Sequence, residues 1–378
     1  MLTQPPANVD SLEIKKINRT RIYQRFLTGL PLTKQQLTYE LQLSIPTVAN
    51  NIRDFLEAGL IVQSGSKGNT GGRSAVTYTI ARNARVAIGV DITQHHIVIA
   101  ILDLLGDILD SRRYKKTFLD CDDYYAELAD MICGHIENAG LSDRQILGVG
   151  IGLPVLVDKD RRNIIFNKII NLGSSVYESL TAHISYPVEL FNDANAAAFT
   201  EIWRNQDMEN SVYLMLGNNI GGCLVFGRSI YPGITQKAGE IGHMTLVPGG
   251  RQCYCGQRGC VDPYLSALNL ASMTNGNLSE FFQLLASGDE AASERWEQYA
   301  ANLALTVHSV HALLDCPVIL GGYVGEYIAP YLDDIRRRVR QIDTFDAPAD
   351  YVRASSYRKE AVAAGAALSF IAAFNQSI

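Results

Sequence analysis

The sequence lacks long apolar runs and has few cysteines. No run approaches the roughly 20 apolar residues that a membrane-spanning helix needs, so we expect no membrane partner. The first residues, MLTQPPANVDSLEIKK, lack the apolar centre of a signal peptide, so the expected localisation is cytoplasmic. Seven cysteines, an odd number, argue against a disulfide framework. With 47% hydrophobic residues, 19% charged residues and a length of 378, the chain is expected to be globular, with two or three domains.

Three of the seven cysteines are clustered. Cys253, Cys255 and Cys260 lie within eight residues, and His243 precedes the first of them by ten positions. Three thiolates and one imidazole form the tetrahedral ligand set of a structural zinc site, with no open position left for catalysis. The glycines between them permit the tight turns that such a knuckle needs. We therefore predict Zn2+ as a structural cofactor; the alternative is a chance cluster of reduced thiols in a loop.

The charge of the chain is distributed unevenly. Residues 1–82 contain ten Lys or Arg and five Asp or Glu, a net charge of +5, whereas the whole chain carries −6. The remaining residues therefore carry a net charge of −11. A basic N-terminal segment on an acidic body favours contact between that segment and a polyanion.

The pattern of residues 1–82 predicts a winged helix-turn-helix domain. Helices are expected at 11–28, 34–41 and 45–58, and strands at 60–63 and 75–80 flank a Gly-rich basic loop. The third helix and the loop offer side chains suited to contact bases or phosphates of operator DNA: Thr47, Asn50, Asn51, Arg53, Lys67 and Arg73. The alternative is a three-helix bundle that acts as a neutral adaptor. The two strands and the basic loop favour DNA binding.

The rest of the chain contains a coarse internal repeat. A strand, a loop, a second strand and a glycine occur near residue 90 and again about 125 residues later, where the turn is predicted at 217–222. Such a repeat predicts an α/β body of two similar lobes that face each other across a cleft. The predicted domains are residues 1–82, a first lobe of 83–195 with 358–378, and a second lobe of 196–357 that holds the metal-binding loop.

The stretch GEIGH at 239–243, followed by CYCGQRGC at 253–260, resembles the signature of the ROK family of bacterial sugar kinases and sugar-responsive transcription factors. The resemblance extends from about Val86 to the C-terminus. It implies an actin-like ATPase body, related to the ribonuclease H fold. The winged helix ahead of this body matches the regulator branch of the family.

The resemblance also implies a sugar site. Asp193 matches the catalytic base of the kinases, and Asn192 and Glu240 match residues that hold the sugar. Asp262 stands where the family usually has a glutamate, so its contact with the sugar is expected to be displaced or changed. The implied sugar-binding residues are Asn171, Asn192, Asp193, Glu240 and Asp262. The alternative role for Asp193 is to cap the helix that follows it.

The nucleotide side departs from the kinase pattern. The family's first phosphate loop, DIGGT, reads Asp91-Ile92-Thr93-Gln94-His95 here, and both glycines are lost. The second loop, usually GTGIGGG, reads GNNIGGC at 217–223. Glycines in such loops let backbone N–H groups approach phosphates. The Gly321-Gly322 pair, similar to the adenosine-side glycines, is retained.

These features predict a sugar-responsive DNA-binding transcriptional regulator of carbohydrate metabolism genes, acting as a repressor. The body is expected to be a non-catalytic kinase homologue that binds a sugar or sugar phosphate as effector, and the protein to be a homodimer or homotetramer on operator DNA. One alternative is an ATP-dependent hexose or amino sugar kinase with Asp193 as its base. Another is a body without a ligand that offers a protein-binding surface.

Overall fold

The computed structural model describes residues 11–378, except 68–74, 174, 344, 346, 347 and 358. Within these residues, no helix is both long and apolar enough to cross a membrane. The described chain forms a small N-terminal domain, which we call the head, and a larger two-lobed body.

The head has the elements of a winged helix. Their bounds are α1 (Ser11–Phe26), β1 (Leu32–Thr33), α2 (Lys34–Leu41), α3 (Ile45–Glu57), β2 (Ile61–Lys67) and β3 (Ala75–Ile80). The side chain of Thr33 accepts a hydrogen bond from the backbone N–H of Gln36, whose own side chain accepts one from the backbone N–H of Thr33. This capping box explains why α2 begins directly after β1. The central strand β3 pairs with both β1 and β2.

The first lobe is built on a five-stranded sheet with the order β10-β7-β4-β5-β6. Its elements are β4 (Val86–Ile92), β5 (His96–Leu102), β6 (Ile108–Lys115), α4 (Asp122–Asn138), β7 (Ile146–Leu153), β8 (Leu156–Val157), β9 (Ile164–Phe166), α5 (Val176–His183) and β10 (Val188–Asn192). Strands β4, β5 and β6 pair antiparallel, whereas β7 and β10 extend the sheet in parallel. Strand β4 is buried at every position, as expected for the centre of a sheet that is covered on both faces.

The second lobe repeats this arrangement. Its sheet has the order β13-β12-β11-β14-β15, with an antiparallel part followed by two parallel strands. Its elements are α6 (Asp193–Arg204), β11 (Ser211–Leu216), β12 (Ile220–Phe226), β13 (Ser229–Ile230), α7 (Asp262–Leu265), α8 (Ala267–Ala271), α9 (Leu278–Ser287), α10 (Glu290–Leu314), β14 (Val318–Gly321), α11 (Gly322–Gly325), α12 (Leu332–Ile342), β15 (Val352–Ala354) and α13 (Ala361–Ser377). The prediction of two similar α/β lobes is therefore confirmed.

The predicted turn at 217–222 is too long. Strand β12 begins at Ile220, so Gly221 and Gly222 are strand residues. A Cβ atom on Gly222 would lie 2.4 Å from the carbonyl oxygen of Gly239. Close packing against the segment that carries Glu240 therefore requires this glycine, and a turn does not.

Helices α6 and α13 cross between the two lobes. Helix α6 follows β10, the last strand of the first lobe, and packs on β11 and β12 of the second. Helix α13 follows β15, the last strand of the second lobe, and packs on β4 and β7 of the first. The two helices also pack closely against each other, where Gly365 faces the backbone of Ala196. Because α6 begins at Asp193, this contact positions one wall of the cleft.

The head and the first lobe share one hydrophobic core. Buried side chains of α1 and β3 belong to the same cluster as those of β5 and α13. At this junction the buried hydroxyl of Tyr23 donates a hydrogen bond to Oδ1 of Asn375, over 3.1 Å. Arg82 forms an ion pair with Asp107 at 2.7 Å. The head therefore rests on the C-terminal end of α13.

Candidate ligand site and metal centre

One His and three Cys side chains converge in the loop between β13 and α7. The ligand atoms of His243, Cys253, Cys255 and Cys260 all lie within 4.8 Å of one another. The Sγ atoms of Cys255 and Cys260 are 3.8 Å apart, as are Sγ of Cys253 and Nδ1 of His243. Bonds of about 2.3 Å to a central ion place two thiolates of a tetrahedral site at about this separation. The cluster can therefore hold a metal ion.

The backbone of the knuckle, residues 243–260, explains how these ligands meet. The backbone N–H of Cys253 donates to the carbonyl of Gln257, and isolated bridges pair Thr245 with Cys260 and Gln252 with Arg258. Gly259 has a φ of +85°, and a Cβ atom there would lie 1.9 Å from the carbonyl oxygen of Val247. Only glycine fits this position, because any other residue would be strained at this φ and its Cβ would collide with the backbone of Val247.

Next to the knuckle a cavity opens between the lobes. We call it the outer compartment; it measures about 490 Å³ with its mouth. The first lobe contributes Leu156, Phe166 and Lys168 among others. The polar residues that line the rest of it are Asn192, Asp193, Asn219, Glu240, His243 and Tyr254. The structure thus brings three of the five predicted sugar-binding residues to one cavity.

Asn192 and Asp193 lie where β10 becomes α6. The Oδ1 atom of Asn192 accepts a hydrogen bond from the backbone N–H of Asn195, so Asn192 is the N-cap of the helix. Its Nδ2 group donates to the carbonyl of Val155 over 2.9 Å. Asp193 accepts from the backbone N–H of Ala194 through Oδ1. Among the described residues this local hydrogen bond is the one found for the Asp193 carboxylate, which lines the cavity.

The other predicted sugar residues have different surroundings. Glu240 is partly exposed, with Oε2 3.8 Å from Nε2 of His243. Asp262 is buried, and its Oδ2 accepts a hydrogen bond from the backbone N–H of Ile220 over 2.7 Å. It therefore supports the start of β12 from behind the cavity wall. Asn171 is exposed and lines a separate depression with Lys168 and Asp120.

A second cavity, the inner compartment, adjoins the first and shares Asp193, Asn219 and Met215 with it. It measures about 760 Å³ with its mouth and lies beside the turns at 93–95 and 217–219, the predicted nucleotide side. Tyr323 reaches into it from the second lobe, where its side chain interacts with Thr93, and the Arg113 guanidinium lies 5.5 Å from the ring centre. Lys359, on the same wall, pairs with Glu326 at 3.2 Å.

Two carboxyl groups face the inner compartment. Burial raises the pKa of Asp91 from 3.8 to about 7, against the opposing effect of Arg113. Burial also raises the pKa of Asp193 to about 7, and the negative charges of Asp91 and Glu240 add to this rise. No hydrogen bond to the Asp91 side chain is found among the described residues, although only 6% of Asp91 is exposed.

On the head, α3 presents a polar face. Asn50 and Arg53 are exposed, whereas Val48, Ile52 and Phe55 are buried. Thr47 and Asn51 are partly buried, and Nδ2 of Asn51 donates to the carbonyl of Thr47. Lys67 ends β2, and Arg73 lies outside the described residues.

Sequence reasoning missed several residues that line the cleft, among them Tyr254, Lys168 and Tyr323. Tyr254 and Lys168 line the outer compartment, and Tyr323 lines the inner one. The Nζ atom of Lys168 donates to the carbonyl of Cys255 over 3.4 Å and so connects the first lobe to the knuckle. The position of Tyr254 between two predicted metal ligands was a usable signal. The other two residues had no signal in the pattern of their neighbours.

Comparison with known proteins identifies related chains. The sequence model of the ROK family matches residues 87–373 of this chain. The xylose repressor of Bacillus subtilis is 29% identical over 266 residues, which cover 68% of this chain and 67% of that protein. The DNA-binding transcriptional dual regulator NagC of Escherichia coli is 24% identical over 338 residues, 84% of this chain and 83% of that one.

Solved structures resemble the whole chain or its body. A ROK family transcriptional regulator described as a homologue of the E. coli Mlc protein aligns with a TM-score of 0.73 at 22% identity, over 96% of this chain and 97% of that one. A ROK family glucokinase from Streptomyces griseus, solved with glucose and AMPPNP, aligns with a TM-score of 0.64 at 26% identity, over 75% of this chain and 98% of that one. The first resemblance includes the head, and the glucokinase covers a share of the chain that corresponds to the body alone.

Proposed function

This chain belongs to the ROK family, and we propose that it is a sugar-responsive transcriptional repressor of carbohydrate metabolism genes. The observation that carries the proposal is the fusion, through one shared core, of a winged-helix head to a two-lobed body with a polar cleft. The named relatives, a xylose repressor and the regulator NagC, support the same combination of operator DNA and sugar effector. In this proposal, α3 contacts DNA and the outer compartment binds the sugar.

The body is proposed to be a binding module without kinase activity. Phosphoryl transfer depends on groups that surround and neutralise the transferred phosphate. Here the Tyr323 ring and the Thr93 and Gln94 side chains line the inner compartment, and Lys359 is already paired. The retained Asp193 is the observation that favours the alternative of a sugar kinase.

The metal is proposed to be Zn2+ in a structural role. The knuckle offers three thiolates and one imidazole, which are soft and borderline ligands that suit zinc. When bound, the ion would hold residues 243–260 as one unit. Since Glu240, His243 and Tyr254 all line the outer compartment, the metal would fix one wall of the sugar site from outside the cavity.

The effector is proposed to be a neutral sugar. Glu240 and Asp193 accept hydrogen bonds from sugar hydroxyls, and charge strengthens such bonds. A phosphorylated sugar would place further negative charge beside these two carboxyl groups and beside Asp91. Lys168, the cation that lines the outer compartment, already donates to the carbonyl of Cys255.

We further propose that two copies of the chain bind one operator. A single α3 presents few exposed polar side chains, so two half-sites are needed for specific affinity. The sugar would act by binding more tightly to one relative arrangement of the lobes, because equal affinity for two arrangements shifts nothing. The head rests on α13, which packs against α6 and so lies within reach of such a change.

The test uses the full-length, zinc-loaded protein. Duplexes selected from a random DNA library provide the probe, and fluorescence anisotropy measures affinity with and without a panel of neutral sugars and their phosphates. We expect one neutral sugar to weaken DNA binding at least tenfold, and Arg53→Ala to weaken it by about tenfold or more. Arg144→Ala, an exposed arginine of the body, is the matched control and should change neither value.

Two outcomes would contradict the proposal. If no duplex is enriched, the head does not read DNA. If ADP forms when the protein is mixed with Mg-ATP and a sugar of the panel, the body is an active kinase, and the side chains that line the inner compartment do not exclude the nucleotide.

A further inference from the structure

Tyr254 lies between two cysteines of the knuckle and faces the outer compartment. Its hydroxyl is 3.2 Å from Nε2 of His243, and the two rings meet edge to face with centres 5.2 Å apart. About 40% of the tyrosine is exposed. Its ring therefore borders the cavity that would hold the sugar.

The chemistry of the metal centre sets the direction of this hydrogen bond. Nδ1 of His243 lies 3.8 Å from Sγ of Cys253, so Nδ1 is the nitrogen that points into the cluster. An imidazole that binds a metal through Nδ1 carries its proton on Nε2. The Nε2–H group then donates to the hydroxyl oxygen of Tyr254. The phenolic proton of Tyr254 remains available for a different acceptor.

The surroundings of Tyr254 limit what this acceptor can be. Glu240 lies on the same side of the imidazole, with Oε2 3.8 Å from Nε2 of His243. No hydrogen bond joins Tyr254 to Glu240 or to any second protein group among the described residues. The Tyr254 hydroxyl donor and the Glu240 carboxylate acceptor therefore lie on the same wall of the cavity, on either side of Nε2 of His243.

We propose that Tyr254 donates a hydrogen bond to one hydroxyl of the bound sugar, and that Glu240 accepts a hydrogen bond from the neighbouring hydroxyl. A donor and an acceptor side by side recognise a vicinal diol, in which one hydroxyl accepts and its neighbour donates. Tyr254 is then a residue that determines specificity, held in place by the metal-bound imidazole. This assignment rests on the proposed function, and it identifies a vicinal diol as the chemical group that the outer compartment recognises.

The experiment compares wild type with Tyr254→Phe by calorimetric titration of the zinc-loaded full chain. The probes are D-xylose, D-glucose, D-mannose and N-acetyl-D-glucosamine, with the deoxy form at each hydroxyl position of whichever sugar binds wild type most tightly. We expect the variant to bind the parent sugar about five- to tenfold more weakly, the loss of one hydrogen bond. For one deoxy form, wild type and variant should bind equally, since the partner hydroxyl is absent.

Two further measurements separate contact from structure. Zinc content and melting temperature of Tyr254→Phe should equal those of wild type. Tyr231→Phe removes a hydroxyl from an exposed tyrosine of the same lobe and should leave every affinity unchanged.

Three outcomes overturn the proposal. Equal affinities of wild type and variant for the parent sugar mean that Tyr254 makes no contact. A loss of the same size for the parent and all deoxy forms means that Tyr254 only shapes the loop. Failure of every sugar to bind wild type refutes the sugar-responsive function itself, together with this assignment.

Discussion

The contact between α6 and α13 can be tested with a single methyl group. Gly365 of α13 faces the backbone of Ala196 in α6, and a Cβ atom at Gly365 would lie 1.6 Å from the carbonyl oxygen of Ala196. A carbon and a carbonyl oxygen normally approach to about 3.3 Å. The substitution Gly365→Ala must therefore push the two helices apart by roughly 1.7 Å.

The expected loss of stability follows from this displacement. Overpacking of this kind costs up to about 3 kcal/mol, and here the obstacle is backbone, which cannot rotate away. Alanine is favoured over glycine in a helix by about 1 kcal/mol, which offsets part of the cost. We expect a net destabilisation of about 2 kcal/mol and a melting temperature lower by about 2.5 °C. Sugar affinity should also fall, because Asp193 begins α6.

Calorimetry or thermal shift measures the effect, and the chain offers a matched control. Gly134 lies within α4, and a Cβ atom there would meet nothing within 4 Å. Gly134→Ala should therefore stabilise the protein by about 0.5–1 kcal/mol. If Gly365→Ala is as stable as wild type, the two helices are not in the close contact described above. The α6–α13 contact then does not connect the cleft to the head.

Two further predictions concern charge and metal. The pKa of Asp91 in the folded protein, about 7, lies above the ordinary 3.8, so stability is lost as pH rises between these values. Asp91→Asn should therefore raise the melting temperature at pH 8 and change it little at pH 4; exposed Asp160→Asn is the control, and an equal effect at both pH values would contradict the assignment. A strong chelator, or Cys255→Ser, should release bound zinc and lower both melting temperature and sugar affinity; an unchanged melting temperature after loss of the metal would exclude a structural ion.

Local patterns in the sequence were enough to predict the head and the metal cluster. The predicted helices at 34–41 and 45–58 begin where Thr33 and Ser44 cap them, and a cap depends only on residues three positions away. The ligands Cys253, Cys255 and Cys260 are near neighbours in the chain, so their convergence needs only a tight loop. The strand-to-helix junction at Asp193 was predictable for the same reason.

The sequence by itself determined the two similar lobes, since the hairpin of each lobe, with the glycine that follows it, is visible as a local pattern in the sequence. Only the tertiary structure decided which side chains face the cleft. Asp262 accepts a hydrogen bond from the backbone of Ile220, 42 residues away, whereas Tyr254 lines the outer compartment. Tyr323 crosses from the second lobe to Thr93 of the first. Contacts of this kind join segments whose separation along the chain carries no periodic pattern, so they are set by how the two lobes pack and by the space each side chain then finds.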